Sequence, residues 1–232
     1  MLLTDQVESR SLSSCARLAG FMYLFTIASY FAGTWFVSQH DERAGYLLMF
    51  VTSWATVLLA GSLFATLRSV DPLLALFALI WRVGEATLGA LSVTLRFAML
   101  GVQAGAMTEP NTAAALMRSM SGTIFSGTTL FFTAGSTLFF WLFLKSRLIP
   151  RIIAAFGLIA SVLFALLACA NLLAVRLPGG VAYAWAPMLA AEIITGAWLL
   201  LFGITSQSLS KARASLKSAR RSKPGRPRAA PR

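Results

Sequence analysis

Arg82 and Glu85 stand three residues apart inside an uninterrupted apolar run, residues 72–95. That step puts both side chains on one face of a helix, within pairing distance. A third ionisable residue, Glu192, lies inside another apolar run, residues 187–205. A charge near the centre of a bilayer costs at least about 2.5–3.5 kcal/mol on insertion scales. Three such groups need a reason. One reason is an internal ion pair that fixes helix register. Another is a ligand or proton site inside the bundle, and a third is that one of the charges reaches an interface.

Depth arithmetic links these groups to others. The run from Pro72 is read as going outward, so at 1.5 Å per residue Glu85 lies roughly 20 Å from the inner edge. The run from Pro187 is read as going inward, which leaves Glu192 roughly 8 Å from the outer edge. In a hydrocarbon core about 30 Å thick the two depths nearly coincide. The same arithmetic brings Tyr30 (with Ser29), Ser53 (with Thr52) and Thr128 (with Thr129) to that level. The expected intramembrane polar site is therefore Arg82, Glu85, Glu192, Tyr30, Ser53 and Thr128. Such a layer could form a small polar cavity. It could equally be hydrogen-bonding glue between helices, worth under about 1–2 kcal/mol per contact.

Other chemistry finds no residues. The chain has one histidine, His40, which excludes a zinc site built from several. Its two cysteines, Cys15 and Cys169, form neither a disulfide framework nor a CxxC metal motif. No GxGxxG or P-loop pattern occurs. No nucleophile–histidine–acid set can be assembled without His40, which falls in an outer loop. The expectation is no catalytic residue, no cofactor and no metal. An intramembrane enzyme stays a third class for want of a catalytic constellation.

The elements that must position these residues follow from composition. Of 232 residues, 57% are hydrophobic and 12% charged, and the mean hydropathy is +0.73. Soluble domains carry about 25% charged residues. Half that share cannot cover a water-facing surface, so a soluble enzyme, a disordered chain and a fibrous rod are all excluded. Six apolar runs occur, at about residues 18–37, 46–67, 72–95, 122–144, 152–175 and 187–205. They are apolar all round, so length decides their type. A run of about 20 residues in lipid must satisfy its backbone internally, and helix is the single-segment solution. The expected fold is all-α: a polytopic membrane protein with six transmembrane helices in one bundle. The first run lies behind a mixed polar segment, lacks a small-x-small cleavage pattern, and reads as a retained span rather than a signal peptide.

Lysine and arginine set the orientation. With six spans both termini share a side. That side holds Arg10, Arg17, Arg68, Lys145, Arg147, Arg151 and nine tail residues, against Arg43, Arg118 and Arg176 on the other. Both termini are expected in the cytoplasm. Trp35, Tyr46, Tyr183 and Trp185 fall near the expected outer interface, where amphipathic rings settle. Arg96, at the outer end of its run, reads as a snorkelling anchor. Residues 111–120 could form a short surface-lying helix behind Pro110. Gly157, Ser161, Ala165 and Cys169, at four-residue spacing, read as a seam for close helix approach. The tail, residues 207–232, carries nine basic residues and no acid. It reads as a solvated, disordered segment. Contact with anionic lipid is its next reading, worth up to about 1 kcal/mol per basic residue near the surface. Nucleic acid is disfavoured, because the stretch around Pro224-Gly225-Arg226-Pro227 lacks an arginine before the glycine.

Several stretches resemble the bacterial membrane proteins grouped as domain-of-unknown-function family 4386. They are Ala16-Arg17-Leu18-Ala19-Gly20 before an apolar span, and Ile80-Trp81-Arg82-Val83-Gly84-Glu85-Ala86. Further on come Lys145-Ser146-Arg147-Leu148-Ile149-Pro150-Arg151 leading into Phe156-Gly157-Leu158-Ile159, and Ala191-Glu192 followed by Ala197-Trp198-Leu199-Leu200. The similarity covers about residues 16–206. It implies a six-helix integral membrane protein, and the family supplies no activity. The expected organisation is an N-terminal cytoplasmic segment (1–15), a transmembrane domain (16–206) and the basic tail (207–232). The expected setting is the bacterial plasma membrane, with the lipid bilayer as partner. Two functions stand open: a site that binds or passes a small ligand, a lipid or protons, and a non-transporting scaffold or regulatory subunit whose buried charges are structural.

Overall fold

The computed structural model describes residues 2–102, 110–173, 175, 183 and 185–204. Among them all regular structure is helical. The helices are α1 (Leu2–Ser38), α2 (Glu42–Leu67), α3 (Pro72–Gly101), α4 (Pro110–Ser146), α5 (Arg151–Leu172) and α6 (Ala186–Phe202). Five of these are long and apolar enough to cross a membrane. The sixth, α6, is apolar but has 17 residues. The basic tail, and the segment 103–109 between α3 and α4, lie outside the described residues.

Local chemistry marks the helix ends. Asp71 caps α3: its carboxylate accepts from the Leu74 N–H at 3.3 Å, and Pro72 takes the first helical position. Asp41 caps α2 the same way through the Ala44 N–H, at 3.2 Å. His40, the lone histidine, ends α1 in the left-handed conformation, with φ 66°. Its N–H bonds Val37 O and the Asp41 N–H bonds Phe36 O, the two bonds of a Schellman turn. The backbone therefore accounts for His40, with no chemistry required.

Three boundaries differ most from the sequence reading: α1 already begins at Leu2, sixteen residues before the first apolar run. α4 runs unbroken from Pro110, so the separate surface helix over residues 111–120 does not exist. Gly122 is the one weak helix former at that junction, and a lone glycine costs only about 1 kcal/mol against alanine. α3 likewise continues past Leu95 to Gly101. Both helices exceed what a 30 Å core requires: at 1.5 Å per residue, 37 residues of α4 span about 55 Å.

Each helix touches the next in the chain, and α6 returns to touch α1. The six therefore form a closed ring. Small residues let its walls approach. A Cβ on Gly20 of α1 would collide with the backbone of α6 at Leu200 N and, 2.6 Å away, Gly196 O. Gly33 and Gly45 do the same between α1 and α2. The ring is solid at one end. Leu59, Leu63, Leu67, Phe139, Phe140 and Phe143 fill it there, all with at most 1% exposure. At that same end Lys145 Nζ meets Asp71 Oδ2 at 3.0 Å, tying α4 to the cap of α3.

Burial opposes ionisation of Asp71, but the Lys145 hydrogen bond and the Leu74 N–H outweigh it, holding the carboxyl below the usual carboxylate range. The folded carboxyl thus titrates below the unfolded one. Its stabilising contribution is complete above about pH 4 and disappears as pH falls through the lower folded value. Both partners are partly exposed, so the contribution is at most about 1 kcal/mol. Lys145→Ala should lower the melting temperature in detergent at neutral pH by a degree or so more than in strong acid. An equal loss at both would show that Lys145 acts through packing alone.

Candidate functional site

Beyond that solid end the ring is hollow. A cavity of about 870 Å³ has side chains from all six helices on its wall. Its lining begins at one level around the ring, at Thr26, Thr56, Arg82, Phe132, Phe164 and Glu192. It extends toward the end that carries Arg96, Asn171 and Trp185. One turn below that first level stand fully or nearly fully buried Tyr23, Leu59, Ala78 and Thr195. The cavity therefore has a floor, made of charged groups, above an apolar plug. A second hollow of about 690 Å³ lies along α4 and the end of α5. Its charged residue, Arg118, is exposed, and no buried charge lines it.

Arg82 organises the floor and is 3% exposed. Its Nη1 lies 3.1 Å from Glu85 Oε2 and 3.8 Å from Glu192 Oε1. It also donates to Ser136 Oγ of α4 at 3.2 Å. The guanidinium sits over the Phe132 ring, 4.9 Å from its centroid. Gly135 makes this position possible: a Cβ there would stand 2.8 Å from Arg82 Cγ and 2.9 Å from its Cδ. The helix α3 sets Glu85 beside Arg82 through the i, i+3 step, and α6 brings Glu192 from across the ring. One nitrogen thus serves three oxygens, and the satisfaction is incomplete. Among the described residues, Arg82 Nε, Glu85 Oε2, Glu192 Oε1 and Thr195 Oγ1 are buried with no hydrogen-bond partner. Glu85 Oε2 is an ion-pair partner of Arg82 without hydrogen-bond alignment. Buried polar groups are normally satisfied, so four orphans around one charge cluster distinguish this floor from ordinary core.

The six residues singled out in the sequence all line this cavity. Arg82, Glu85 and Glu192 converge. Ser53 of α2 faces Gly89 of α3. Thr128 lines the wall but returns its hydroxyl to its own helix, at Ile124 O, 3.0 Å away. Tyr30 stacks on Phe125 of α4, at 6.5 Å between centroids and 10° between planes. α1 and α4 are opposite in the ring, so this pair bridges the hollow above the floor. Ser29, counted into the same layer, instead donates to Leu48 O and ties α1 to α2.

Three readings need correction. Arg96 is no headgroup anchor: it is half-buried on the cavity wall, its Nε donating to Ser121 Oγ at 3.1 Å. Ser121 and Ser92 each reach the other's carbonyl at 3.1 Å, so α3 and α4 clasp reciprocally there. Tyr46 is buried against Phe97 rather than placed at an interface. The small-residue row of α5 packs at Gly157 and Ser161, the latter bonding Thr137 of α4, but leaves Cys169 exposed. Twelve residues at about 100° each turn that row roughly 120° around the helix, which carries Cys169 off the seam. Sequence reasoning also missed Tyr23. It is 1% exposed, lies over Gly196 and stands within electrostatic reach of all three floor charges.

The family model described as "Domain of unknown function (DUF4386)" matches residues 18–203. The chain belongs to that family. No curated protein and no solved structure matches it. Its apolar helices make it a multi-pass membrane protein embedded in lipid. Among the described residues no three His, Cys, Asp or Glu side chains group to hold a metal ion.

Proposed function

We propose that this is a six-span protein of the bacterial plasma membrane, with both termini cytoplasmic, whose polar intramembrane site binds or passes a small ligand, a lipid or protons. The six-span reading counts α6 as a span. The fifteen-to-three excess of basic residues supports the orientation. One observation carries the functional reading: a cavity of ligand size ends on a cluster of buried charges whose hydrogen bonding is incomplete. A purely structural ion pair has no use for the space beside it. A scaffold would be better served by closing the ring to the packing density of its other end. The cavity falls within the roughly 300–1,000 Å³ common for small-molecule sites.

Accessibility tests this. In a chain with Cys15 and Cys169 replaced by alanine, Thr128→Cys should react with a small, charged, water-soluble thiol reagent. Thr66→Cys, in the solid end at 0% exposure, should stay inert until the protein unfolds. Equal, slow labelling at both positions would favour the scaffold, with a cavity closed to water.

A further inference from the structure

The floor charges do not balance. It holds one guanidinium, Arg82, against two carboxylates, Glu85 and Glu192. With all three ionised it carries one net negative charge. Arg82 leans toward Glu85, so Glu192, at 3.8 Å, is the less compensated. Glu192 is 8% exposed and lines the cavity, and its Oε1 has no hydrogen-bond partner among the described residues. The titratable groups facing it are Arg82 and Glu85 from α3 and Tyr23 from α1. At the same level α2, α4 and α5 contribute Thr56, Phe132 and Phe164, which bring no charge. The next cation on the wall is Arg96, eleven residues beyond Glu85 and so about 16 Å along α3. Its guanidinium is already engaged by Ser121.

Aromatic rings stand among the hydroxyls of the lining: Phe132 and Phe164 at the floor level, and Tyr30, Phe31, Phe125 and Trp185 above it. Ring faces attract cations, and most strongly where water is excluded. The space far exceeds that of a bare metal ion, and no three-ligand metal group accompanies it among the described residues. Building on the cavity reading above, we propose that this site takes a lipophilic organic cation, an ammonium or phosphonium with apolar substituents. Its charge pairs with Glu192 while its substituents lie against the rings. Acidification adds a proton to the carboxylate pair, removes the uncompensated charge and releases the cation.

Tetraphenylphosphonium and tetraphenylborate share one shape and carry opposite charges, so they separate charge from hydrophobicity. Binding to the full chain in nanodiscs is measured against empty nanodiscs, in alkaline and in acidic buffer. The phosphonium should bind saturably, one per chain, at least about tenfold more tightly than the borate, a difference of about 1.4 kcal/mol. It should weaken by at least about tenfold in Glu192→Gln, weaken in acid, and protect Thr128→Cys from labelling. Equal binding of the two ions, or unchanged binding in Glu192→Gln, overturns the proposal. If Glu192→Gln does not fold, the two ions and the pH series on the unaltered chain decide the matter. Labelling of Thr128→Cys without phosphonium binding removes the cation and leaves the cavity reading intact. Absence of both removes both.

Discussion

Arg82→Ala should be among the most damaging single substitutions in the chain, costing about 3–5 kcal/mol. The loss strands two carboxylates, Glu85 and Glu192, in a site where each is nearly buried. It also leaves Ser136 without its donor and Phe132 without the cation over its ring. Removing the acids as well should return most of the loss, because an apolar or neutral set of similar volume can match a buried ion pair. Arg82→Met with Glu85→Gln and Glu192→Gln should therefore unfold later than Arg82→Ala alone. Glu85→Gln on its own should be milder, since Glu192 remains to face the guanidinium. Gly135→Ala should mimic part of the arginine loss by pushing the Arg82 stem off its path. Unfolding in mixed detergent, followed by circular dichroism, gives the order. A triple variant as unstable as the sum of its single changes would show that the three charges do not act as one cluster.

The second large effect should come from a residue with no side chain. Gly20→Leu should prevent α6 from closing the ring on α1. Even one methyl group at that position meets Leu200 N and Gly196 O, which are backbone atoms and cannot rotate aside. Gly20→Ala should cost about 1–3 kcal/mol, the range for overpacking, and leucine more. The same opening would displace Tyr23, which packs over Gly196 one turn from Glu192. The loss should therefore reach the cavity, and Thr128→Cys should become indiscriminately reactive toward bulky reagents. Gly61 and Gly101 have open space around their Cα positions, so alanine there should be neutral by comparison. A Gly20→Leu chain that melts normally would mean the ring closes some other way.

Much of the frame was legible because lipid leaves the chain few options. Run length alone marked helices, Pro72 marked a start, and the Arg82–Glu85 step marked a shared face. The level of Glu192 came from counting residues at 1.5 Å each, since straight helices make depth nearly linear in sequence. Angle was harder to read than depth. Where Cys169 leaves its seam depends on the rotation of α5, which is apolar all round and carries no polar stripe to fix it. Arg96 was legible but unused, since fourteen residues at about 100° each bring it within roughly 40° of Arg82 around α3. Contacts made by absence were illegible altogether: nothing in Gly20, Gly135 or Gly196 announces the atom that each admits. Tyr23 was hidden for the same reason, since its value lies in what stands opposite.

If α6 crosses the bilayer, as the six-span proposal has it, the membrane itself has a say in the site. The helix's 17 residues rise about 26 Å, less than the roughly 30 Å of an average hydrocarbon core. A span too short for its bilayer is met by thinning the lipid around it, at fractions of a kcal/mol per Å of mismatch. Glu192 is six residues from the start of this helix. The dimple that lipid would form around such a span would lower the headgroup region toward the charged floor. Acyl-chain length then becomes a control on hydration of the site: short-chain lipids would leave α6 unstressed, while long-chain lipids would pull at the helix that carries Glu192.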